Sequence, residues 1–509
     1  MTRRGIAAAF AAVLLLATPA MSAAAPPVPR GVLRGWNIVL ITLDATDPAR
    51  IGAYGGSPRT MPYFDELARN GLLVMNAYTL TGSTAPAHAT LFSGLSAAEH
   101  GVRSNGLPLA GGVFWLPEML REQGYVTAGS TVAFFMNRTN GFSRGFDCFE
   151  GPAGDDDPMR RSNRAAYRAF EQNCLPMLSA EKPFFAFIHL KGGHAPLAPV
   201  GEAYLRRHSR SLPPDRLPPI PTAEQALLGQ DDAALRTSLN AYYDASLSEA
   251  DDTLRLLFQQ FKTRGLTRKT LFIITADHGE SFDHGFHGEH WPSPWQSTLR
   301  VPLLFHTESG ALSRGRISDR LFSHADLVPT LSHLFAFPVA NRNSGEAFNL
   351  FGATKRTAVE AASVNVYDYE HYVREMFAAS DEGVAAAWRK DADDLERRGA
   401  FYWSRIEMAP DGIFKLLHFG ATPRSRPAET PMQLFDLSRD PGEQRDLLRS
   451  GGGKRTLAAA MLGRARSSDF LFGHFLADLK PSGEPARDAL RRQLDDETIK
   501  KLKALGYLQ

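Results

Sequence analysis

The sequence predicts an α/β fold built on a mainly parallel sheet, and three features carry that expectation. The runs Asn37–Leu43, Phe184–Leu190 and Leu271–Thr275 are short, almost uniformly apolar and rich in β-branched or aromatic residues, the pattern of strands buried on both faces. Two of them stop abruptly at a carboxylate, Asp44 or Asp277, and open α/β sheets place their sites at the carboxyl ends of strands. Beyond residue 350 the density of such polar groups fades, so a smaller C-terminal subdomain over 351–509 is expected to follow a main domain over 31–350.

The chain has 509 residues and 43% hydrophobic content, enough for a large core. Its 57 basic and 55 acidic residues leave a net charge of +2, which gives no electrostatic case for nucleic acid or a membrane surface. In Met1–Ala25, Arg3 and Arg4 precede the apolar run Gly5–Thr18, then Pro19 and a series of alanines. This is the layout of a secretory signal peptide, so the mature chain is expected to be periplasmic or secreted. No later segment is long and apolar enough to span a bilayer. Cys148 and Cys174 are the two cysteines; an oxidising compartment would let them pair, and spacing alone does not decide it.

In chain order, Pro26–Arg34 is a linker to the strand Asn37–Leu43. Pro62–Asn70 reads as a helix closed by Gly71. The small, hydroxyl-rich stretch Leu80–His88 runs into a helical pattern at Ala89–Leu95. Thr84 and the amides after it would then lie at a helix N-terminus, where anions are stabilised; taken alone, such a threonine reads as an N-cap. The strand Phe184–Leu190 leads into Lys191-Gly192-Gly193-His194. Leu212–Pro221 is a proline-rich loop, and Ala234–Gln260 is an amphipathic helix with Asp244 and Asp251 on one face.

After the strand Leu271–Thr275 come Asp277, His278, Glu280, Asp283, His284, His287, Glu289 and His290, a density of oxygen and imidazole ligands that points to a metal. Val301–His306 reads as a strand and Asp326–Phe335 as a helix. Tyr367–Ala400 is highly charged and helical in pattern, and Phe401–Met408 with Ile413–Phe419 flank Pro410-Asp411-Gly412 as a hairpin.

At Asp44, Thr84-Ala85-Pro86-Ala87-His88 and Asp277-His278-Gly279-Glu280-Ser281 the sequence resembles the sulfatase-like branch of the alkaline phosphatase superfamily. The likeness continues through Leu91–Leu95, Arg300–Leu303, Asp326–Leu331 and Lys415 to Leu434–Leu437 and Asp440–Glu443. It implies a large mixed, mainly parallel sheet sandwiched by helices, with a small C-terminal α+β subdomain. It makes Asp44, Asp277 and His278 metal ligands and Thr84 both ligand and nucleophile. His88, His194 and His290, with the amides after Thr84, become the groups that hold the charged ester oxygens. His194 and His290 are catalytic candidates, and His290 would protonate the leaving alcohol. Lys415 falls outside the catalytic motifs and reads as structural.

Departures from the family pattern shape the chemistry. Sulfatases of this branch carry a Cys or Ser that is oxidised to formylglycine, whereas oxidising Thr84 would give a ketone. His88 stands where they have Arg, and Ala45 where many have a second metal-binding Asp. Threonine is a competent nucleophile toward phosphorus in relatives, and His189–His194 looks like the equivalent segment of phosphoethanolamine transferases. The expectation is therefore cleavage or transfer of a phosphate mono- or diester on a small-molecule, glycan or lipid substrate. A sulfuric ester hydrolase working without formylglycine and a catalytically silent binding protein are the alternatives. The cofactor is a divalent ion, Zn²⁺ or Mn²⁺ for a phosphoester and Ca²⁺ for a sulfate ester. A second metal stays open: Asp244 is followed one turn later by Ser248 instead of histidine, and His284 and His287 could substitute, although both read as loop residues more than as ligands.

Overall fold

The computed structural model describes residues 28–102, 105, 107–133, 136–151, 163–194, 197, 200–209, 233–284, 288, 290, 293–339, 348–364, 401–419, 432–449 and 454–467. Met1–Ala25, Leu212–Pro221, His287, Glu289 and the charged stretch Tyr367–Ala400 lie outside them.

The main sheet has eight strands in the order Gly315–Ile317, Leu72–Val74, Leu303–His306, Thr270–Thr275, Asn37–Leu43, Phe184–Leu190, Val126–Ser130 and Cys148–Glu150. Only Leu303–His306 runs antiparallel to its neighbours; the other pairs are parallel. The expected strand Val301–His306 is broken by Pro302, which sends Arg300–Val301 into a separate small sheet with Ala77–Tyr78 and Phe322–Ser323, as a residue without an N–H does at a ladder.

Alternate residues of Asn37–Leu43 feed two cores. Ile38 and Leu40 join Phe92, Phe185, Phe187 and Leu331 on one face, while Val39, Ile41 and Leu43 join Ile188, Ile274, Leu254 and Phe261 on the other. The first face is covered by the helices Thr84–Ser93 and Leu327–Phe335, the second by the long helix Ala233–Thr263 and by Pro62–Arg69. Asp251 of the long helix accepts from the Tyr63 and Phe64 amides at 2.8 Å each, capping Pro62–Arg69 from outside. Asp244 instead faces Arg50 at 3.4 Å.

The C-terminal sheet is antiparallel, Ala358–Val364, Phe401–Ala409, Gly412–Phe419 and Met432–Asp436, with the expected hairpin closing between Ala409 and Gly412. One face packs Ile406, Leu417 and Phe435 on Tyr78 and Trp295 of the main body, and the other packs Trp403, Phe414 and Leu416 under the helix Lys454–Ser467. Cys148 and Cys174 form a disulfide, with Cα atoms 5.5 Å apart, that ties the edge strand to the turn after Asn163–Ala169. No helix among the described residues is long and apolar enough to cross a membrane.

Candidate active site

Strand register brings the site together. Asn37–Leu43 is sandwiched between two parallel partners, with Thr42 opposite both Thr275 and His189. The next residues on these strands therefore emerge at one edge, carrying Asp44 from the centre, His194 from one side and Asp277 and His278 from the other. Asp44 is 5% exposed and Asp277 and His278 are fully buried. His278 Nε2 lies 3.6 Å from Asp44 Oδ1 and 3.5 Å from Asp277 Oδ2. Its Nδ1 donates to the Gly279 carbonyl at 2.9 Å, which fixes the tautomer and leaves Nε2 as a lone pair facing the carboxylates.

Thr84 is the first residue of its helix, and the cap position is Ser83, which makes no side-chain capping bond. The Thr84 hydroxyl is therefore not consumed as an N-cap. It lies 3.3 Å from His278 Nε2, in the same cluster as both carboxylates. Asp44 Oδ1 and Asp277 Oδ2 are buried without a hydrogen-bond partner among the described residues, and Asp44, Asp277 and His278 present ligand atoms within 4.8 Å of one another. Two carboxylates and an imidazole that converge on one point, with orphaned oxygens, fit a divalent cation.

The charges are tuned by burial and by one another. Burial pushes the Asp44 carboxyl up, but the neighbouring imidazoles of His194, His189 and His278 prevail and hold it well below the usual carboxylate range. Burial and the Asp44 charge raise Asp277. Two adjacent buried carboxylates that cannot both ionise comfortably are what a cation relieves. Burial, with His194 beside it, lowers His290 to about 3.

His290 stacks on His278 with ring centroids 4.3 Å apart and lies 4.8 Å from His194. The buried Glu280 carboxylate holds His290 Nδ1 at 3.0 Å, so Nε2 is the nitrogen left for substrate. Glycines allow these loops to approach closely. A Cβ on Gly279 would sit 1.9 Å from the Ser297 carbonyl oxygen, and one on Gly192, at φ +56°, would sit 2.1 Å from the Asp44 carbonyl oxygen. Ala45 adopts φ 51°, a left-handed conformation rare for a residue with a side chain. Its N–H donates to Asp277 Oδ1 at 3.2 Å and its carbonyl accepts from the Tyr243 hydroxyl at 2.8 Å.

Two expectations are corrected. His88 does not join His194 and His290 in facing substrate: it is fully buried behind Thr84, with Nδ1 at 2.8 Å from the Thr84 carbonyl and Nε2 at 2.9 Å from the Thr42 hydroxyl. One helical turn after Thr84, its ring is carried back against the sheet. The amides after Thr84 are not free donors either, because Ala85 N–H goes to the Asn105 side chain, Pro86 has none and Ala87 N–H is in the helix ladder. His284, expected as a loop residue more than a ligand, stacks on Trp295 at 3.7 Å and bonds the Glu443 carbonyl at 3.0 Å.

Residue-by-residue reading also left His189 unassigned. Its Nε2 is 3.4 Å from Asp44 Oδ2, an adjacency set by the pairing of Thr42 with His189 and invisible in local pattern. Lys415, read as structural, is fully buried, ion-paired with Glu443 at 2.6 Å and bonded to the Pro294 carbonyl. It ties the C-terminal sheet to the loop that carries His290.

Comparisons with known proteins bear on the family and the fold. A family model described as Sulfatase matches residues 36–337. The chain is 24% identical over 339 residues to the ulvan-active sulfatase of Formosa agariphila, covering 61% of this chain and 63% of that one. It is 25% identical over 331 residues to human N-sulphoglucosamine sulphohydrolase, covering 61% and 63%. These matches span less than two thirds of the relatives' own lengths. Among solved structures, the phosphonate monoester hydrolase of Agrobacterium radiobacter has a TM-score of 0.60 at 20% identity, covering 91% of this chain and 97% of that one. BT4656 in complex with D-glucosamine-2-N,6-O-disulfate also has a TM-score of 0.60, at 16% identity and 88% and 99% coverage. With the family model spanning more than half of its residues, the chain belongs to the sulfatase family.

Proposed function

We propose that this sulfatase-family hydrolase acts on phosphate esters, with Thr84 as its nucleophile and a divalent ion held by Asp44, Asp277, His278 and the Thr84 hydroxyl. The observation that carries the reading is the Thr84 hydroxyl, uncommitted to capping and 3.3 Å from His278 Nε2. A bound ion would supply Lewis-acid charge, lowering the hydroxyl pKa and polarising the ester. A threonine cannot furnish formylglycine, so attack is by the alcohol oxygen itself, a chemistry suited to phosphorus.

Thr84 Oγ1, its proton released to solvent, attacks phosphorus, the bond to the ester oxygen breaks, and His290 Nε2 gives that oxygen a proton. A dianionic substrate beside His290 raises its proton affinity from the resting value. His194, next to His290, shares the charge on the remaining oxygens. Water, or an acceptor alcohol, then displaces Thr84 from the phosphoryl group. Small-molecule or glycan esters are the substrate class, and the periplasm or exterior is the compartment. The signal-like Met1–Ala25 and the Cys148–Cys174 disulfide support that placement.

A sulfuric ester hydrolase without formylglycine is the second reading, favoured by the names of the relatives. Turnover of p-nitrophenyl phosphate, its bis-ester and p-nitrophenyl sulfate on one metal-loaded preparation separates the two. Phosphate ester turnover that disappears in Thr84→Ala is expected, and hydrolysis of the sulfate alone would reject the phosphoester reading. No turnover of any ester, with ligand affinity unchanged in Thr84→Ala, would leave a binding protein.

A further inference from the structure

We propose a second cation site behind Thr84, formed by His88, His189 and the two carboxylates Asp44 and Asp277. It deepens the reading above and rests on it, because the two ions would share both carboxylates.

His88 and His189 are fully buried, with ring centroids 4.5 Å apart. Each has one nitrogen backed by a threonine hydroxyl: His88 Nε2 by Thr42 Oγ1 at 2.9 Å, and His189 Nδ1 by Thr131 Oγ1 at 2.9 Å. A hydroxyl oxygen can accept a ring N–H. In that tautomer His189 Nε2 presents a lone pair, the arrangement that outer partners impose on metal-binding histidines, whereas His88 Nδ1 donates to the Thr84 carbonyl in this structure and would turn its lone pair inward when an ion replaces that bond. Both inner nitrogens face carboxylate oxygens, His88 Nδ1 at 3.8 Å from Asp277 Oδ2 and His189 Nε2 at 3.4 Å from Asp44 Oδ2. The latter contact is longer than an ordinary N–H···O bond, and His189 Nε2 has no hydrogen-bond partner among the described residues. A lone pair on His189 Nε2 buried against the Asp44 carboxylate repels it unless a positive charge lies between them.

The carboxylates are disposed as bridges. Asp277 Oδ2 lies between His278 Nε2 at 3.5 Å and His88 Nδ1 at 3.8 Å, and Asp44 turns Oδ1 to His278 at 3.6 Å and Oδ2 to His189. His88, His189 and Asp277 bring ligand atoms within 4.8 Å of one another. An ion there displaces one bond, from His88 Nδ1 to the Thr84 carbonyl at 2.8 Å, an oxygen that the helix ladder also serves. Two imidazoles with carboxylate oxygens suit Zn²⁺, whereas Ca²⁺ takes oxygen ligands. Two divalent ions against two carboxylates leave the site two positive charges in excess, matched to a phosphate monoester dianion better than to a sulfate ester monoanion.

The test is metal analysis of the chelator-stripped full chain re-equilibrated with Zn²⁺ or with Ca²⁺. Zinc is expected to bind at two equivalents and calcium at no more than one, and His189→Gln and His88→Gln should each lower zinc to one. A single zinc equivalent in the unmodified protein overturns the second site and leaves the first. Two zinc equivalents that persist in a His189→Gln variant with unchanged circular dichroism also overturn it, as do two of calcium. No bound ion at all removes both sites. The unmodified protein decides the matter even if a variant fails to fold.

Discussion

At the carboxyl edge of the main sheet, Asp44 and Asp277 are buried beside three imidazoles, yet Asp44 Oδ1, Asp277 Oδ2 and His189 Nε2 have no hydrogen-bond partner among the described residues. In the C-terminal sheet buried charge is answered group by group. Lys415 meets Glu443, Arg405 meets Glu360 and Glu407, and Glu407 also takes Arg464. The same expense of desolvation is thus left open in one region and closed in the other. Open charge in a stable fold marks a place that something else completes, and closed charge marks a joint.

Substitution should split the two regions. Asp277→Ala is expected to lower phosphate ester turnover roughly 10³-fold or more and to lose bound ion. Its urea midpoint without metal should hold or rise, because Asp277 lies buried against Asp44. A midpoint that falls along with activity would erase the contrast. Thr84→Ala should lose activity as deeply while folding normally, with Thr84→Ser recovering part of it in steady-state assays.

At the closed region the expectation reverses. Lys415→Met strands Glu443, which is 3% exposed, and should lower the unfolding free energy by about 3–5 kcal/mol, read by urea titration with ion content unchanged. Zinc at a hundredfold excess over its dissociation constant should stabilise the unmodified protein by about 2.7 kcal/mol for each ion bound. Calorimetry should find no such gain in Asp277→Ala.

His100 sharpens the comparison as a buried group that is satisfied while neutral. Nδ1 accepts from Val102 N–H at 3.1 Å and Nε2 lies 3.2 Å from the Thr90 hydroxyl. Burial lowers it from 6.5 to about 3. Because the folded value is depressed, its contribution is complete above pH 6.5 and is lost as pH falls from there toward about 3. Acid unfolding should therefore carry up to about 1.4 kcal/mol per pH unit in that window, and His100→Gln should flatten the slope.

Much of this was legible in the sequence wherever the signal was local. Apolar runs ending at Asp44 and Asp277 disclosed strands and their edge, and the turn at Pro410-Asp411 disclosed its hairpin. What was not legible depends on neighbours distant in the chain. His189 acquires meaning only through its register with Thr42, and Glu443 only through Lys415 and the Gln296 amide, which donates to it at 2.7 Å. His88 was misplaced because spacing after Thr84 does not tell which way the ring leans. His284, read as a loop residue, is held as one by Trp295 and Glu443.

Ala45 links the two carboxylates through its backbone, and a glycine there would relieve a conformation that disfavours a Cβ by about 1 kcal/mol. The same change would let the peptide between Asp44 and Asp277 swivel. Engineers selecting variants for heat tolerance and those selecting for turnover should thus rank this position in opposite orders, and a library scored on durability alone would drift away from the working enzyme.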